Sequence, residues 1–318
     1  MKLNKDWLVG FIDGDGSFAI DKVGNFYRPS LSIAQDDPEL LYKIKDYFGC
    51  GTVTQKSLKS YHYRCRSASQ FRDHIIPKLG EFPFQTRKQL EYDIIRNVAL
   101  PIFLGGGSKV VLENCRKQIQ TLRNLTWVTY VNPNTPINLD WFLGFFEAEG
   151  NYQRKSLIFF ENSRRFRISL KDIRNFDNFY FSVRETNPND VRIAFKVTQT
   201  NKELLQKIQN FFGFGLIQSE GSRSNLEIWK FNVEGVNNIA LYGIPLFQNH
   251  PLNGKKNIQR INFLKAAGIL STKGHQNPQQ LAVHDLSKIN RGPSQKPKVP
   301  SRVGEVLKQL SANLKDLP

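Results

Sequence analysis

Apolar positions along the chain fall into two periodic patterns, and the change from one to the other marks out the elements. From Lys5 to Asp13 the apolar run Trp7-Leu8-Val9, Phe11-Ile12 is interrupted only by Gly10, which predicts a short helix. Ser17 to Asp21 reads as extended, Gly24-Asn25 is a turn signal, and Tyr27 to Gln35 alternates as a strand. In that strand Leu31 and Ile33 point one way while Arg28, Ser30 and Ser32 point the other. Asp37-Pro38-Glu39 is a helix start with proline in the first turn, and the helix runs to Phe48 and stops at Gly49. Two further strands, Gly51 to Lys56 and Tyr61 to Ser67, precede helices over Gln70 to Leu79 and Arg87 to Leu100. The order is α-β-β-α-β-β-α.

The same order returns later in the chain. A helix ends at Glu147, a strand covers Val191 to Gln199, a helix starts at Thr200 with Glu203 as its capping partner, and strands near Gly215 to Ser219 and Leu226 to Val233 lead into helices. Landmarks repeat with it. Asn4-Lys5-Asp6-Trp7 matches Asn138-Leu139-Asp140-Trp141, and Phe48-Gly49-Cys50-Gly51 matches Phe212-Gly213-Phe214-Gly215. Ile76-Pro77 with Pro83 matches Ile244-Pro245 with Pro251. The chain is therefore read as an internal duplication. It comprises an N-terminal repeat (1–127), a linker (128–137) rich in Pro and Asn, and a C-terminal repeat (138–270). The spacing from Asp15 to Gln35 is 20 residues and that from Glu149 to Gln199 is 50, which places an insertion of about thirty residues near 152–189. This insertion carries Arg154, Lys155, Arg164, Arg165 and Arg167 and reads as a solvated flap or, in preference, an additional DNA contact. A polar, basic tail (271–318) containing Pro293, Pro297 and Pro300 reads as partly disordered, with a short amphipathic helix near Val303 to Leu314. The expected fold class is α+β: two pseudo-symmetric halves, each a curved antiparallel sheet backed by helices.

Charge changes the picture of the sheet faces. The 318 residues carry a net charge of +17, so the expected partner is a polyanion, nucleic acid first. No apolar run approaches a membrane span and the first residues show no signal peptide, so no membrane partner is expected. Cys50, Cys65 and Cys115 lack metal-site spacing and read as reduced thiols. Strand alternation leaves one polar face per half. In the first half it would present Arg28, Ser30, Ser32, Thr54, Lys56, Arg64 and Arg66; in the second, Arg192, Lys196, Gln218, Lys230 and Asn232. Basic and hydrogen-bonding residues alternating on strands suit a β-ribbon in a DNA major groove.

Chemistry concentrates in two stretches, Trp7 to Gly16 and Trp141 to Gly150, each an apolar helix ending acid-small-acid-Gly. A carboxylate at a helix C-terminus is disfavoured by the helix dipole, so a repeated one needs a reason. Gly10 with Gly14, and Gly144 with Ala148, form bare strips at i, i+4 that let two helices approach and bring their terminal acids together. Paired acids require a cation between them, and hard oxygen ligands suit Mg²⁺. Two such acids beneath basic sheets are the parts of a metal-assisted phosphodiesterase.

Leu8 to Gly16 (LVGFIDGDG) and Phe142 to Gly150 (FLGFFEAEG) resemble the LAGLIDADG motif of homing endonucleases, and the chain resembles a single-chain member with two motifs over residues 4–270. The resemblance implies that the motif helices pack at a pseudo-two-fold and that the last acids, Asp15 and Glu149, hold the metal. The full metal set it implies is Asp15, Glu149, Gly14 and Ala148, with roughly two or three divalent ions at the motif interface. It implies that Gln35 and Gln199 order waters around the metals, and that Lys88 and Lys256 steady a developing phosphorane or polarise the attacking water. Lys255 stands beside Lys256, and the choice between them stays open. Asp13 and Glu147 are expected in helix-end hydrogen bonds rather than as ligands. The implied activity is cleavage of both strands of a DNA target of roughly twenty base pairs, leaving short 3′ overhangs, by a monomer. The alternative within the family is a maturase that binds its own intron RNA and does not cut. Abundant Phe with a single Met suits an AT-rich organellar genome, chloroplast or mitochondrial.

Overall fold

A computed structural model describes residues 3–58, 60–80, 84–125, 130–149, 181–187, 190–223 and 226–273. Most of the insertion, the tail beyond 273 and Pro83 lie outside these residues. The chain divides into two compact units, one of Met1–Asn151, Thr198–Gly213 and Ile217–Lys230, the other of Tyr152–Val197, Phe214–Leu216 and Phe231–Pro318. Both motif helices belong to the first, so packing units and sequence repeat do not coincide.

The motif helices are built alike. In α1 (Lys5–Asp15) the Asn4 side chain accepts from the Trp7 N–H at 2.8 Å, and in α8 (Leu139–Ala148) Asn138 accepts from Trp141 N–H at 2.8 Å. Trp7 stacks on Phe11 and Trp141 on Phe145, with ring centroids 4.9 and 4.8 Å apart. The residues from Trp7 to Asp13 and from Trp141 to Ala148 are all buried. α1 extends two residues beyond the Asp13 expected from sequence, to Asp15, because Gly16 continues directly into a strand.

In the first half, β1 (Gly16–Val23), β2 (Phe26–Gln35), β3 (Thr52–Ser57) and β4 (Ser60–Cys65) form an antiparallel sheet in the order β1-β2-β4-β3. Phe18, Ile20, Leu31, Ile33, Tyr63 and Cys65 are buried on one face, together with Leu40, Leu41, Ile44 and Phe48 of α2 (Pro38–Phe48). Asp37 caps α2 and Gly49 ends it at φ +70, the left-handed conformation that glycine adopts without a Cβ penalty. Beyond the sheet, α3 (Ala68–Gln70) passes through a wide π turn at Phe71–Ile75 into α4 (Ile76–Leu79). The helix expected over Arg87 to Leu100 is α5 (Lys88–Asp93), a second π turn (Ile94–Ala99) and α6 (Leu100–Gly105) in succession, and α7 (Lys109–Leu125) follows. Cys50, Cys65 and Cys115 are buried thiols without disulfides.

In the second half, β5 (Phe181–Asn187), β6 (Asp190–Gln199), β7 (Leu216–Arg223) and β8 (Leu226–Glu234) repeat the order as β5-β6-β8-β7. β5 falls within the stretch that spacing assigns to the insertion; its polar run Arg184-Glu185-Thr186-Asn187 hides the alternation. The helix after β6, α9 (Lys202–Phe212), is capped by Asn201 accepting from the Leu204 N–H, not by Thr200. Gly213 ends it as Gly49 ends α2, 164 residues earlier. After the β7–β8 hairpin the offset is 168: α10 (Val236–Asn238), a π turn at Ile239–Gly243 and α11 (Ile244–Asn249) mirror α3, its π turn and α4. Phe195, Phe231, Phe247 and Phe263 cluster beneath this part, beside α12 (Lys256–Lys273).

Candidate active site

The motif helices touch backbone to backbone. A methyl added at Gly10 would lie 1.9 Å from the Trp141 carbonyl oxygen, and one at Gly144 would lie 1.8 Å from that of Trp7. Farther along, a methyl at Gly14 would meet the Ala148 Cβ at 2.4 Å and the Glu149 Cγ at 3.4 Å. Only glycine permits this approach at Gly10 and Gly144. The contact draws the ends of α1 and α8 together, and Asp15 and Glu149 with them.

Lys88 answers the puzzle of acids at a helix C-terminus. It is the first residue of α5, is 7% exposed, and its ammonium donates to the carbonyls of Ile12 (2.8 Å), Asp13 and Gly14 (2.7 Å). The Asp13 and Gly14 carbonyls are orphan acceptors of the last turn of α1, while that of Ile12 also accepts from the Gly16 N–H, so one buried cation satisfies the orphans and offsets the negative helix end. Burial pushes the Lys88 ammonium below its ordinary range, while Asp13, Glu149, Asp15 and Glu91 pull it back up. Both motif acids therefore lie within its field.

Asp13 and Asp15 divide their work. One Asp13 oxygen accepts from the Gln85 N–H (2.7 Å) and the Trp141 indole (2.9 Å); the other accepts from the Thr86 N–H (3.1 Å) and hydroxyl (2.6 Å). Burial raises its carboxyl, Lys88 and these donors oppose that, and four donors leave no vacant direction for a metal. Asp15 instead accepts from the side-chain amide of Gln35, the buried last residue of β2. Glu149 caps the end of α8, and Gln199 closes β6, half-buried. Gly14 has only its carbonyl to offer a metal, and that carbonyl already accepts from Lys88, whose charge would repel a second cation there. Ala148 is fully buried in the seam.

Local hydrogen bonding distinguishes the two neighbouring lysines. The Phe84 N–H donates to Gln89 Oε1 at 3.0 Å, and the Leu252 N–H donates to Asn257 Oδ1 at 3.1 Å. Both pairs are separated by 168 residues, the offset that also puts Lys256 at the position of Lys88. Lys256 is 8% exposed, like Lys88, whereas Lys255 faces solvent.

Strand register places Arg28, Ser30, Ser32, Thr54 and Arg64 on one face of the first sheet, with Ser32 opposite Arg64. Arg28, Thr54 and Lys56 are exposed, Ser32 and Arg64 are half-buried, and Ser30 is buried at 4% because so small a side chain sits below its neighbours. Arg66 is exposed but paired with Asp21 at 3.0 Å. In the second half, Gln218 is exposed, Lys196 half-buried and Lys230 paired with Glu220 at 3.4 Å. Asn232 is buried and donates to Glu234 at 3.0 Å, so its amide is engaged rather than presented. Arg192 pairs with Arg184 in the backbone register; its side chain lies outside the described residues. Sequence reasoning missed His62, opposite Thr54 and flanked by Arg64; alternation alone could have found it. Burial, then Arg64 and Lys56, hold its imidazole below the usual range, hence neutral at pH 7. The acids Asp21 and Glu220 on the basic faces were missed as well.

Comparisons with known proteins identify the family. The chain is 28% identical over 155 residues to a probable intron-encoded endonuclease, Cox1-I1b, of Schizosaccharomyces pombe, a match covering 46% of this chain and 40% of the relative. It is 25% identical over 284 residues to probable intron-encoded endonuclease 4 of Neurospora crassa, covering 87% of this chain and 42% of the relative. A third match, 30% identical over 156 residues, is to an uncharacterized mitochondrial protein, RF1, of Saccharomyces cerevisiae, and covers 46% of this chain and 31% of the relative. The chain thus spans less than half the length of these curated relatives. Among solved structures, I-SmaMI bound to an uncleaved DNA target with calcium ions superposes with a TM-score of 0.65 at 19% identity over 99% of both chains, a likeness of fold. The family model for LAGLIDADG endonucleases matches residues 8–99 and 178–267, one match per motif-bearing half, and the chain belongs to that family as a member with two motifs in one polypeptide.

Proposed function

We propose that the chain is a site-specific endonuclease that hydrolyses both strands of a double-stranded DNA target with divalent metal ions, Mg²⁺ in the cell, and leaves short 3′ overhangs. The observation that carries the reading is the seam: Gly14 packs against Ala148 and Glu149 while Lys88 binds the last carbonyls of α1, so two carboxylates converge beside a buried cation. Carboxylate oxygens at a helix end are a donor set that fits a hard divalent cation, with Asp15 and Glu149 as its holders. A cation bound there supplies Lewis-acid polarisation of the scissile phosphate and activation of a water.

The chain's own residues do the remaining work. Gln35 fixes the Asp15 carboxylate by hydrogen bonding to one oxygen, and Gln35 and Gln199 are assigned the ordering of waters around the cation. Lys88 keeps the carbonyl end of α1 rigid, and Lys256 is assigned the part of steadying the developing phosphorane or polarising the attacking water. Arg28, Lys56, Arg64, Lys196 and Lys230 supply phosphate contacts, and Ser32, Thr54, His62 and Gln218 are placed to meet base edges. The two motifs of one chain already pair with each other, so the working unit is a monomer. A maturase role makes no demand on two converging carboxylates, and the pair favours the endonuclease. Fungal intron-encoded relatives and a mitochondrial one support an organellar location; no described helix is long and apolar enough to cross a membrane.

The test is cleavage of a target selected from a randomised DNA library in the presence of Mg²⁺. A staggered double cut is expected, lost on chelation with EDTA and restored by Mg²⁺. Asp15→Asn and Glu149→Gln should each abolish cutting while retaining DNA binding in Ca²⁺; normal cutting by either variant overturns the site.

A further inference from the structure

We propose that Lys207, on α9, is a positioning residue for the active site, acting through Gln85 and the linker on Asp13; the proposal rests on the endonuclease reading above. The Lys207 ammonium donates at 2.6 Å to each of three acceptors: the Gln85 side-chain oxygen and the carbonyls of Asn132 and Thr135. Gln85 is fully buried, and its side-chain amide donates onward to the carbonyls of Thr135 (2.9 Å) and Pro136 (3.1 Å). Its backbone carbonyl accepts from the Asn132 N–H at 2.8 Å. Its backbone N–H is one of the four donors that hold Asp13, two residues before the metal-binding carboxylate on the same helix. The linker is therefore a packed element wrapped around one glutamine, with an ammonium closing the wrap.

The other end of α9 is tied to the same linker. Asn201, its cap, donates to the Tyr130 carbonyl at 3.1 Å, and Gln199 precedes that cap by two residues. The glutamine-bearing strand end of the second half is thereby held against the segment that holds Asp13. A covalent linker alone requires no such cation, and the sequence repeat does not supply one: the register equivalent of Lys207 in α2 is Lys43, which is exposed. Burial lowers the Lys207 ammonium from its ordinary range and Asp13 raises it, so the two charges interact.

Lys207→Met keeps the unbranched stem and removes the ammonium with its three donors. At saturating protein the single-turnover cleavage rate should fall about tenfold, since small displacements of reacting groups carry losses of this order or larger. DNA affinity measured in Ca²⁺ should stay within about twofold, because no DNA-facing residue is touched. An activity-independent readout is the ¹⁵N–¹H resonance of the Trp141 indole, which donates to Asp13 and should shift. The Trp7 indole, buried and without an acceptor among the described residues, should not. Lys207→Arg, which keeps the charge and donors, should recover most of the rate, and Lys43→Met should change nothing. A folded Lys207→Met protein with normal cleavage and an unmoved Trp141 resonance overturns the proposal. So does a loss of rate, affinity and melting temperature in parallel, or, should Lys207→Met not fold, a Lys207→Arg protein with no change in the Trp141 resonance and full loss of rate. If the unmutated protein cuts no DNA, the endonuclease reading fails while the indole shift still decides the clamp.

Discussion

Gly10→Ala adds one methyl at the tightest point of the motif seam. That methyl would lie 1.9 Å from the Trp141 carbonyl oxygen and 2.9 Å from the Phe145 nitrogen, where real Cβ contacts essentially never fall below 3.0 Å. Both neighbours are backbone, so no side chain can swing away, and the helices must separate by about 1.1 Å to bring the first contact to that limit. Overpacking of this kind costs about 1–3 kcal/mol, and at about 2–4 °C per kcal/mol the melting temperature should drop by several degrees. Asp15 lies little more than one helical turn from Gly10, so the separation is passed to the carboxylate almost undiminished, and a misplacement of about 1 Å costs on the order of a hundredfold in rate. The assay pairs a thermal melt with single-turnover cleavage at saturating protein, with Ca²⁺-supported DNA binding as the measure of intact sheets. Gly105→Ala is the control: it also replaces a helical glycine, but its added methyl meets nothing within 4 Å and should leave both quantities unchanged. A folded Gly10→Ala protein with unaltered rate and melting temperature would refute the claim that this contact sets the acids in place. Gly144→Ala should behave as Gly10→Ala does, since its methyl would stand 1.8 Å from the Trp7 carbonyl oxygen.

Lys88→Met should destabilise the fold by about 3–5 kcal/mol in urea titrations, because it strands buried acceptors of α1 and leaves buried Asp13 without its counter-charge. Lys256→Met should reduce the cleavage rate strongly at unchanged affinity, whereas Lys255→Met, in a solvent-facing position, should shift only the salt dependence of DNA binding; the reverse outcome would exchange their assignments. Glu113 is held down to about 2 by Arg116, with Tyr27 adding a second hydrogen bond, from an ordinary 4.5. A depressed carboxylate contributes stability above its unfolded value that is lost as pH falls through the folded one. The advantage of the unmutated protein over Glu113→Gln should accordingly hold at neutral pH and shrink between pH 4.5 and 2 in denaturant midpoints; a pH-independent difference would show that Glu113 contributes by packing instead.

What could be read from sequence was whatever depends on neighbours along the chain. Asn4 and Asn138 open their helices through bonds three residues away, Asp37 with Pro38 opens α2, and Gly49 and Gly213 close helices in the left-handed conformation. Strand alternation sorted Leu31 and Ile33 from Arg28 and Ser32 for the same reason. Where alternation fails, as in the polar run ending β5, the strand was hidden in the insertion. Contacts across long separations left no such trace. The carbonyl set of Lys88 lies more than 70 residues before it, and the clamp of Lys207 on Gln85 spans 122. The choice between Lys255 and Lys256 was undecidable from a doublet, yet Leu252 donating to Asn257 repeats Phe84 donating to Gln89 and settles the register. The acids at the end of α1 show the limit most sharply. Taken with their helix alone, Asp13 and Asp15 sit at the wrong end of a dipole, and a bound metal is the natural compensation. The structure places a protein cation there first. Lys88 neutralises the helix end through its carbonyls and Asp13 is engaged by four donors, so of the pair it is Asp15 that the proposed function assigns to an external cation. The motif thus separates the cost of ending a helix in acid from the chemistry that acid performs, and loss of Lys88 should damage the fold before it damages the reaction.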